Sequence, residues 1–443
     1  MYPNPQDVLP LPPRPSLEHY RQRARELARA CEAGGDALDG WAARWVRQAV
    51  ESHPGMPDHQ RRDTERRARQ IAGFARERLN AAGCALSQAQ FVIARALGFA
   101  SWPALVRHVE QLLARDSAGS AFERAADAIV SGDIPELERL LAEHPGLVRE
   151  RSSREHRATL LHYASANGVE NWRQKTPPNV VDVARLLLDA GAAVDAEADV
   201  YGGGATTLGL VVTSAHPRAA GVQNALADLL LDRGARMPAR IAWYCLMNGC
   251  PEAAAHVVER GAPLDLESAA GIGRLDYVAR CFEPPRAPSP AELAAALRMA
   301  TWYDRRDVVR HLLDRGANLA ARDAKDGSTP LHLAAYCGNS AVVELLLSRG
   351  AAVDALDAER ATPLAWALHA RLEERRARGE YPAVLRALAA AGAEVRPEWL
   401  EDPRVRREPD LYRALARDAA GDERSARREP EADRAEGPPA RGE

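Results

Sequence analysis

Aromatic residues make up only 5% of this 443-residue chain, isoleucine and lysine are scarce, and no uncharged apolar run approaches the roughly 20 residues that a membrane-spanning helix needs. With few β-branched and aromatic residues beside abundant Ala, Leu and Arg, the composition disfavours sheets and favours helices. An excess of one charge is missing too. The 59 basic and 62 acidic residues leave a formal net charge of -3, so no global field draws nucleic acid or an acidic membrane to the chain. The six cysteines, Cys31, Cys84, Cys245, Cys250, Cys281 and Cys337, show neither CxxC spacing nor a paired framework. They read as reduced, buried small hydrophobes. The start, MYPNPQDVLPLPPRP, lacks a charged stretch followed by an apolar core, and the expected location is the cytoplasm.

Catalytic patterns are absent as well. No GxSxG, HExxH, paired-carboxylate or kinase-type signature occurs. Gly202, Gly203 and Gly204 lack the lysine and hydroxyl that a phosphate-binding loop needs directly after its glycines, so they are expected to give a turn its positive φ before Thr206 starts a helix. Cys245 and Cys250 have no second pair that would complete a zinc site. The expectation is therefore a non-enzyme with no catalytic residue, no cofactor and no metal.

What is present divides into four stretches. Residues 1–15 are crowded with proline, which removes backbone donors, and predict a disordered arm. Residues 16–116 predict a small helical module. Ser16 is placed to cap a helix carrying Leu17, Tyr20, Ala24, Leu27 and Ala28 on one face, further helices are expected over about 38–50 and 61–80, and a hairpin spans 87–110. In that hairpin Gly98 should end one helix, while Ser101 caps the next with Pro103 in its first turn. Residues 121–396 carry a repeat. After about Pro397 periodicity fades, and 397–443 is expected to be a mostly disordered charged tail.

The repeat is clearest in DGSTPLHLAAYCGNSAVVELLLSRGAAVDALD, Asp326 to Asp357, whose TPL returns 33 positions later at Thr362. Gly-Ala pairs follow apolar helical runs at Gly191, Gly234, Gly261, Gly316, Gly350 and Gly392. Thr329 and Pro330 suit the start of a short helix, Ala334 and Ala335 let a neighbour approach, and Gly338 ends it. Val342, Val343, Leu345, Leu346 and Leu347 then form the apolar part of a second helix that Gly350 closes. The 33-residue period and these motifs resemble the ankyrin-repeat family. The resemblance implies an all-α solenoid of about eight helix-turn-helix units, interrupted by insertions at Asn171 to Val180 and His216 to Gly221 that should bulge from one side. The stretches His162 to Glu170 and Tyr201 to Leu210 are also similar to uncharacterised bacterial ankyrin proteins, which implies a bacterial origin.

The resemblance further implies a non-catalytic scaffold that binds an unidentified protein on a concave face. Its contact positions fall here on Tyr163, Asn167, Tyr201, Tyr244, Asn248, Trp302, Tyr303, Tyr336, Asn339 and Trp366. Six aromatics at first-helix positions, all but the turn residue Tyr201, in an aromatic-poor chain suggest anchors, because Trp and Tyr are large and rigid. His162 and His332 are expected to link turns through hydrogen bonds. No membrane partner is expected, and nucleic acid is not the expected ligand. The alternative is a DNA-associated regulator that reads DNA with the hairpin at 87–110, where Ala94, Leu97, Gly98 and Phe99 fit a helix-turn-helix and Arg107 and His108 supply charge.

Overall fold

The computed structural model describes residues 4–12, 15–53, 63–81, 83–114, 117–285, 287–376 and 378–416. Among the described residues the chain is mostly helical, with one two-residue antiparallel strand pair, Glu197–Ala198 with Ala205–Thr206. The chain forms two compact units, Met1–Pro263 and Leu264–Glu443. That division differs from the expected boundary at about 116, because the N-terminal helices and the helix pairs that follow them pack into one body.

In the first unit, helices Leu17–Ala33, Ala37–Glu51, Thr64–Asn80, Leu86–Ala96 and Trp102–Leu113 enclose a core of Tyr20, Leu27, Trp41, Trp45, Ile71, Leu79, Ile93 and Phe99. Local chemistry sets their ends. The Ser16 hydroxyl accepts from the His19 N–H at 3.4 Å, and Ser101 does the same for Ala104 at 3.4 Å. Gly98 turns the hairpin at φ +85°, and a Cβ there would sit 3.1 Å from Val8. Arg61 and Arg62 of the predicted third helix lie outside the described residues.

Two expectations fail in this region. The proline-rich arm is ordered over residues 4–12: Leu9 is fully buried, its N–H donates to the Ala96 carbonyl at 2.8 Å, and Asp7 pairs with Arg66 at 2.9 Å. Proline removes donors, but Val8 and Leu9 bury apolar surface and pull the extended chain onto the helices. Cys31 and Cys84 form a disulfide with their Cα atoms 5.7 Å apart, so the reading of all six as reduced is corrected. The partners lie 53 positions apart, Cys31 in the last turn of Leu17–Ala33 and Cys84 in the turn between Thr64–Asn80 and Leu86–Ala96. Cys245, Cys250, Cys281 and Cys337 are free thiols.

Further helix pairs in this unit are Ala118–Ser131 with Ile134–Glu143, Leu160–Tyr163 with Val180–Asp189, Thr207–Val212 with Gln223–Asp232, and Ile241–Met247 with Pro251–Glu259. Their second helices lie side by side, Val180–Asp189 on Gln223–Asp232 and that on Pro251–Glu259. The insertion at Asn171 to Val180 does not bulge. Its first residues form a 3-10 turn in which Asn171, Trp172 and Arg173 are buried, and Trp172 joins the N-terminal core. The second insertion folds as a short helix, Ala215–Ala219. Gly202, Gly203 and Gly204 all have positive φ, and Thr206 caps the helix that follows, as expected.

The second unit repeats one plan: Leu266–Ile272 with Leu275–Arg280, Pro290–Trp302 with Arg306–Asp314, Pro330–Cys337 with Ser340–Ser348, and Pro363–Leu372 with Tyr381–Ala390. First helices pack on first helices and second helices on second helices. Leu312, Leu346 and Leu388 are fully buried between them, each contributing about 1.5–3 kcal/mol. The expected charged tail is ordered as far as residue 416. Pro397–Glu401 and Pro403–Arg406 are helical, residues 409–416 form another helix, and Leu411 and Leu415 are buried in this core. Residues 417–443 lie outside the described residues.

Candidate functional site

The repeated Thr-to-His element is built the same way in both units. In the second, the Thr329 N–H donates to His332 Nδ1 at 3.2 Å, which leaves the ring proton on Nε2 to donate to the Ala361 carbonyl of the next turn at 3.1 Å. In the first, Thr159 and His162 repeat this, with Nε2 donating to the Ala205 carbonyl at 3.2 Å. Both histidines are fully buried, so each links one turn to the next and neither faces a ligand.

Burial lowers the His162 pKa to about 4, with the Ala205 carbonyl opposing the shift. A histidine whose folded pKa lies below its unfolded value stabilises the fold above pH 6.5 and loses that contribution as pH falls through 4. Unfolding free energy of the first unit is therefore expected to drop by roughly 2–3 kcal/mol from this group between pH 6.5 and 4. Urea unfolding at both pH values, compared with His162→Gln, checks it; equal pH slopes for the two proteins would sink it.

The predicted contact residues separate into buried and accessible ones. Tyr163 is a correction: it is fully buried, its ring packed against Phe122 and His156 with the Arg173 guanidinium 5.8 Å from the ring centre. The short helix Leu160–Tyr163 turns this side chain into a charged interior. There Glu170 meets Arg154 at 2.5 Å and Arg173 at 3.5 Å, and Arg173 meets Glu123 at 2.7 Å and Asp127 at 2.8 Å. The Arg154 guanidinium lies between the rings of Phe99, at 5.1 Å, and Trp172, at 5.6 Å. Sequence reasoning missed this cluster because its members come from a helix, a turn and an insertion. The one local signal was the Glu170 and Arg173 pair in an insertion that also carries a tryptophan.

Asn167 is also committed internally. Its amide donates to the Leu210 carbonyl at 3.3 Å and its oxygen accepts from the Tyr201 hydroxyl at 2.8 Å. The Tyr201 ring remains 58% exposed at the tip of the glycine turn. Tyr244 and Met247 are exposed as well, and the Asn248 amide donates back to the Tyr244 carbonyl.

In the second unit, the predicted positions come together as a row on successive first helices. Trp302 and Tyr336 have ring centres 5.9 Å apart, and Tyr336 and Trp366 are 5.8 Å apart. Trp366 is fixed by its indole N–H, which donates to Asp357 at 2.8 Å, and Asn339 by its amide, which donates to the Thr301 carbonyl at 2.7 Å. Trp302 is 40% exposed, Tyr303, Tyr336 and Trp366 are half-buried, and Leu333 and Cys337 are buried beneath. Missing from the sequence reading were Glu374 and Arg376, which follow Pro363–Leu372. Glu374 accepts from the Tyr336 hydroxyl at 2.6 Å, and the Arg376 guanidinium lies 4.6 Å from the Tyr336 ring centre.

The hairpin at Leu86–Ala96 and Trp102–Leu113 does not offer a DNA-reading face. His108 is buried against Ser153 and burial lowers its pKa to about 4, while Arg95 is buried and paired with Glu155. Arg107 alone of the expected contacts is exposed. His108 and Arg95 are turned inward to Ser153 and Glu155, which the hairpin pattern does not reveal. Among the described residues no helix is long and apolar enough to cross a membrane, and no group of three or more His, Cys, Asp or Glu side chains is placed to hold a metal ion.

No curated protein matches the chain. Among solved structures, the human ASB11 ankyrin repeat domain is similar at 21% identity, covering 61% of this chain and 99% of that one, with a TM-score of 0.33. Residues 297–396 match the family model for ankyrin repeats in three copies. Those residues hold the aromatic row, a Thr-His turn link and glycine-ended second helices, and this part of the chain is similar to ankyrin repeats.

Proposed function

We propose that the chain is a non-catalytic scaffold that binds a partner protein, and that the row of Trp302, Tyr336 and Trp366 is the centre of its contact face. The observation that carries this reading is the row itself. Three large aromatic rings stand in register on neighbouring helices, with Trp302 40% exposed, in a chain where aromatics are 5% of residues. Rigid aromatic anchors at the centre of an interface supply most of its binding energy. Tyr303 and Asn339 belong to the same face. In the first unit Tyr201, Tyr244 and Asn248, with Asn167 behind Tyr201, offer a separate contact; Tyr163 has no place in it. The expected cytoplasmic location rested partly on reduced cysteines, and the Cys31–Cys84 bond removes that support.

The test is affinity capture from the native organism with wild type beside a Trp302→Ala, Tyr336→Ala, Trp366→Ala variant. Each anchor is worth roughly 2 kcal/mol or more, so the variant should lose at least roughly 100-fold in affinity for the captured protein. A partner held equally by both proteins rejects the row as the contact face.

A further inference from the structure

The aromatic row already carries a side chain from its own chain. Elsewhere in the unit, Pro330–Cys337 joins Ser340–Ser348 through only Gly338 and Asn339, whereas Pro363–Leu372 reaches Tyr381–Ala390 through a longer insertion. The extra length is not needed to connect the helices. Part of it, Glu373 to Arg376, returns over the row. Arg376 places its guanidinium 4.6 Å from the Tyr336 ring centre and 5.8 Å from that of Trp302. Its backbone N–H donates to the Ala370 carbonyl at 3.1 Å, and Glu374 accepts from the Tyr336 hydroxyl. Among the described residues no carboxylate forms an ion pair with Arg376, so the rings are its principal partners.

The surroundings favour a cation on those rings. Asp304 makes no ion pair among the described residues, and burial followed by the charge of Glu380 raises its carboxyl pKa. With Arg376 lifted away, the Glu374 carboxylate, which accepts from the Tyr336 hydroxyl, would be left beside exposed aromatic faces. Arg305, the nearest cation in sequence, is turned to the Gly271 carbonyl at 2.9 Å. An acidic segment would meet the Glu374 carboxylate there. A lysine would bring a compact, strongly hydrated charge, whereas a guanidinium is planar, weakly hydrated and stacks on aromatic faces.

We infer that Trp302 and Tyr336, with the Glu374 carboxylate beside them, form a seat for an arginine side chain, that Arg376 fills this seat from within, and that the partner presents an arginine-bearing segment which displaces it. The inference rests on the contact face proposed above and adds the partner's chemistry and a built-in competitor. An internal occupant lowers apparent affinity by the fraction of molecules in which the seat is free, so emptying the seat should tighten binding.

The probe is a fluorescein-labelled nine-residue Gly/Ser peptide with two arginines, compared with versions carrying two lysines or two glutamates, titrated into the full chain. Arg376→Gln is expected to bind the arginine peptide roughly tenfold tighter than wild type. The glutamate peptide should not bind, and adding Trp302→Ala to Arg376→Gln should abolish the gain. Arg376→Lys, which keeps the charge but loses the planar stacking group, should shift affinity in the same direction by less and serves if Arg376→Gln folds poorly. Equal affinity of wild type and both variants for the arginine peptide overturns the inference, as does equal binding of the glutamate peptide. If the captured partner is lost in the triple aromatic variant while Arg376→Gln shows no peptide gain, the contact face stands and the arginine seat falls.

Discussion

Glu170→Ala is expected to destabilise the first unit by about 3–5 kcal/mol, because it removes the central anion from a buried ionic cluster and leaves two guanidiniums facing fewer charges. Glu170 is fully buried, and Arg154 and Arg173 are 2% and 5% exposed. Burial alone would push the Glu170 carboxyl up, yet Arg154 and Arg173 hold it well below the usual range, so it stays ionised in the fold. The cost of its removal is mainly the desolvation of the arginines left behind rather than the lost attraction. A contrasting variant separates the two. Glu170→Leu with Arg154→Met replaces the pair by apolar groups of similar size and should recover part of the loss. Denaturant unfolding followed by amide exchange in residues 118–190 measures both. A cost under about 1 kcal/mol for Glu170→Ala would show that water reaches the cluster and shares the burden.

The same cluster shows what sequence could and could not reveal. Helices Pro330–Cys337 and Ser340–Ser348 were legible because every signal in them is local: Thr329 and Pro330 at the start, Gly338 at φ +73°, apolar residues at helical spacing and Gly350 at the end. The turn links of His162 and His332 were legible for the same reason, since each histidine bonds a threonine three positions before it. Illegible features all depended on distant partners. Cys31 meets Cys84, Leu9 meets Ala96, Asn171 meets Gln6, and Arg173 meets Glu123. Tyr163 illustrates the cost of reading by position alone. It occupies a place where other repeats expose an aromatic, but Phe122, His156 and Arg173 of the buried insertion cover that place in the first unit. Trp302, Tyr336 and Trp366 occupy equivalent places and share one partly exposed row, with the Arg376 guanidinium set against two of the rings.

Gly338→Ala is expected to cost the second unit about 2–5 kcal/mol, and a companion variant divides that cost into its parts. Gly338 ends Pro330–Cys337 in the left-handed region at φ +73°, where a Cβ is strained by about 1–2 kcal/mol. A Cβ here would also lie 2.6 Å from the Gly379 Cα, a backbone atom that cannot rotate aside. Gly379 is itself at φ +128°, and its own Cβ would press on the Tyr381 ring, so the two glycines allow the insertion to cross the end of the helix in direct backbone contact. The Glu380 N–H donates to the Gly338 carbonyl at 2.8 Å across that contact. Gly350 has φ +86° with nothing within 4 Å of a Cβ, so Gly350→Ala should carry the backbone strain alone, about 1–2 kcal/mol. The excess of Gly338→Ala over Gly350→Ala, at least about 1 kcal/mol in urea unfolding, then measures the overpacking. The steric push also acts on the insertion that holds Arg376 over the row. Gly338→Ala should therefore raise the accessibility of Trp302 to a quencher, whereas Gly350→Ala should leave it unchanged. Equal costs for the two glycines would mean that the insertion does not cross at Gly338, and the seat over Tyr336 would lose its anchor.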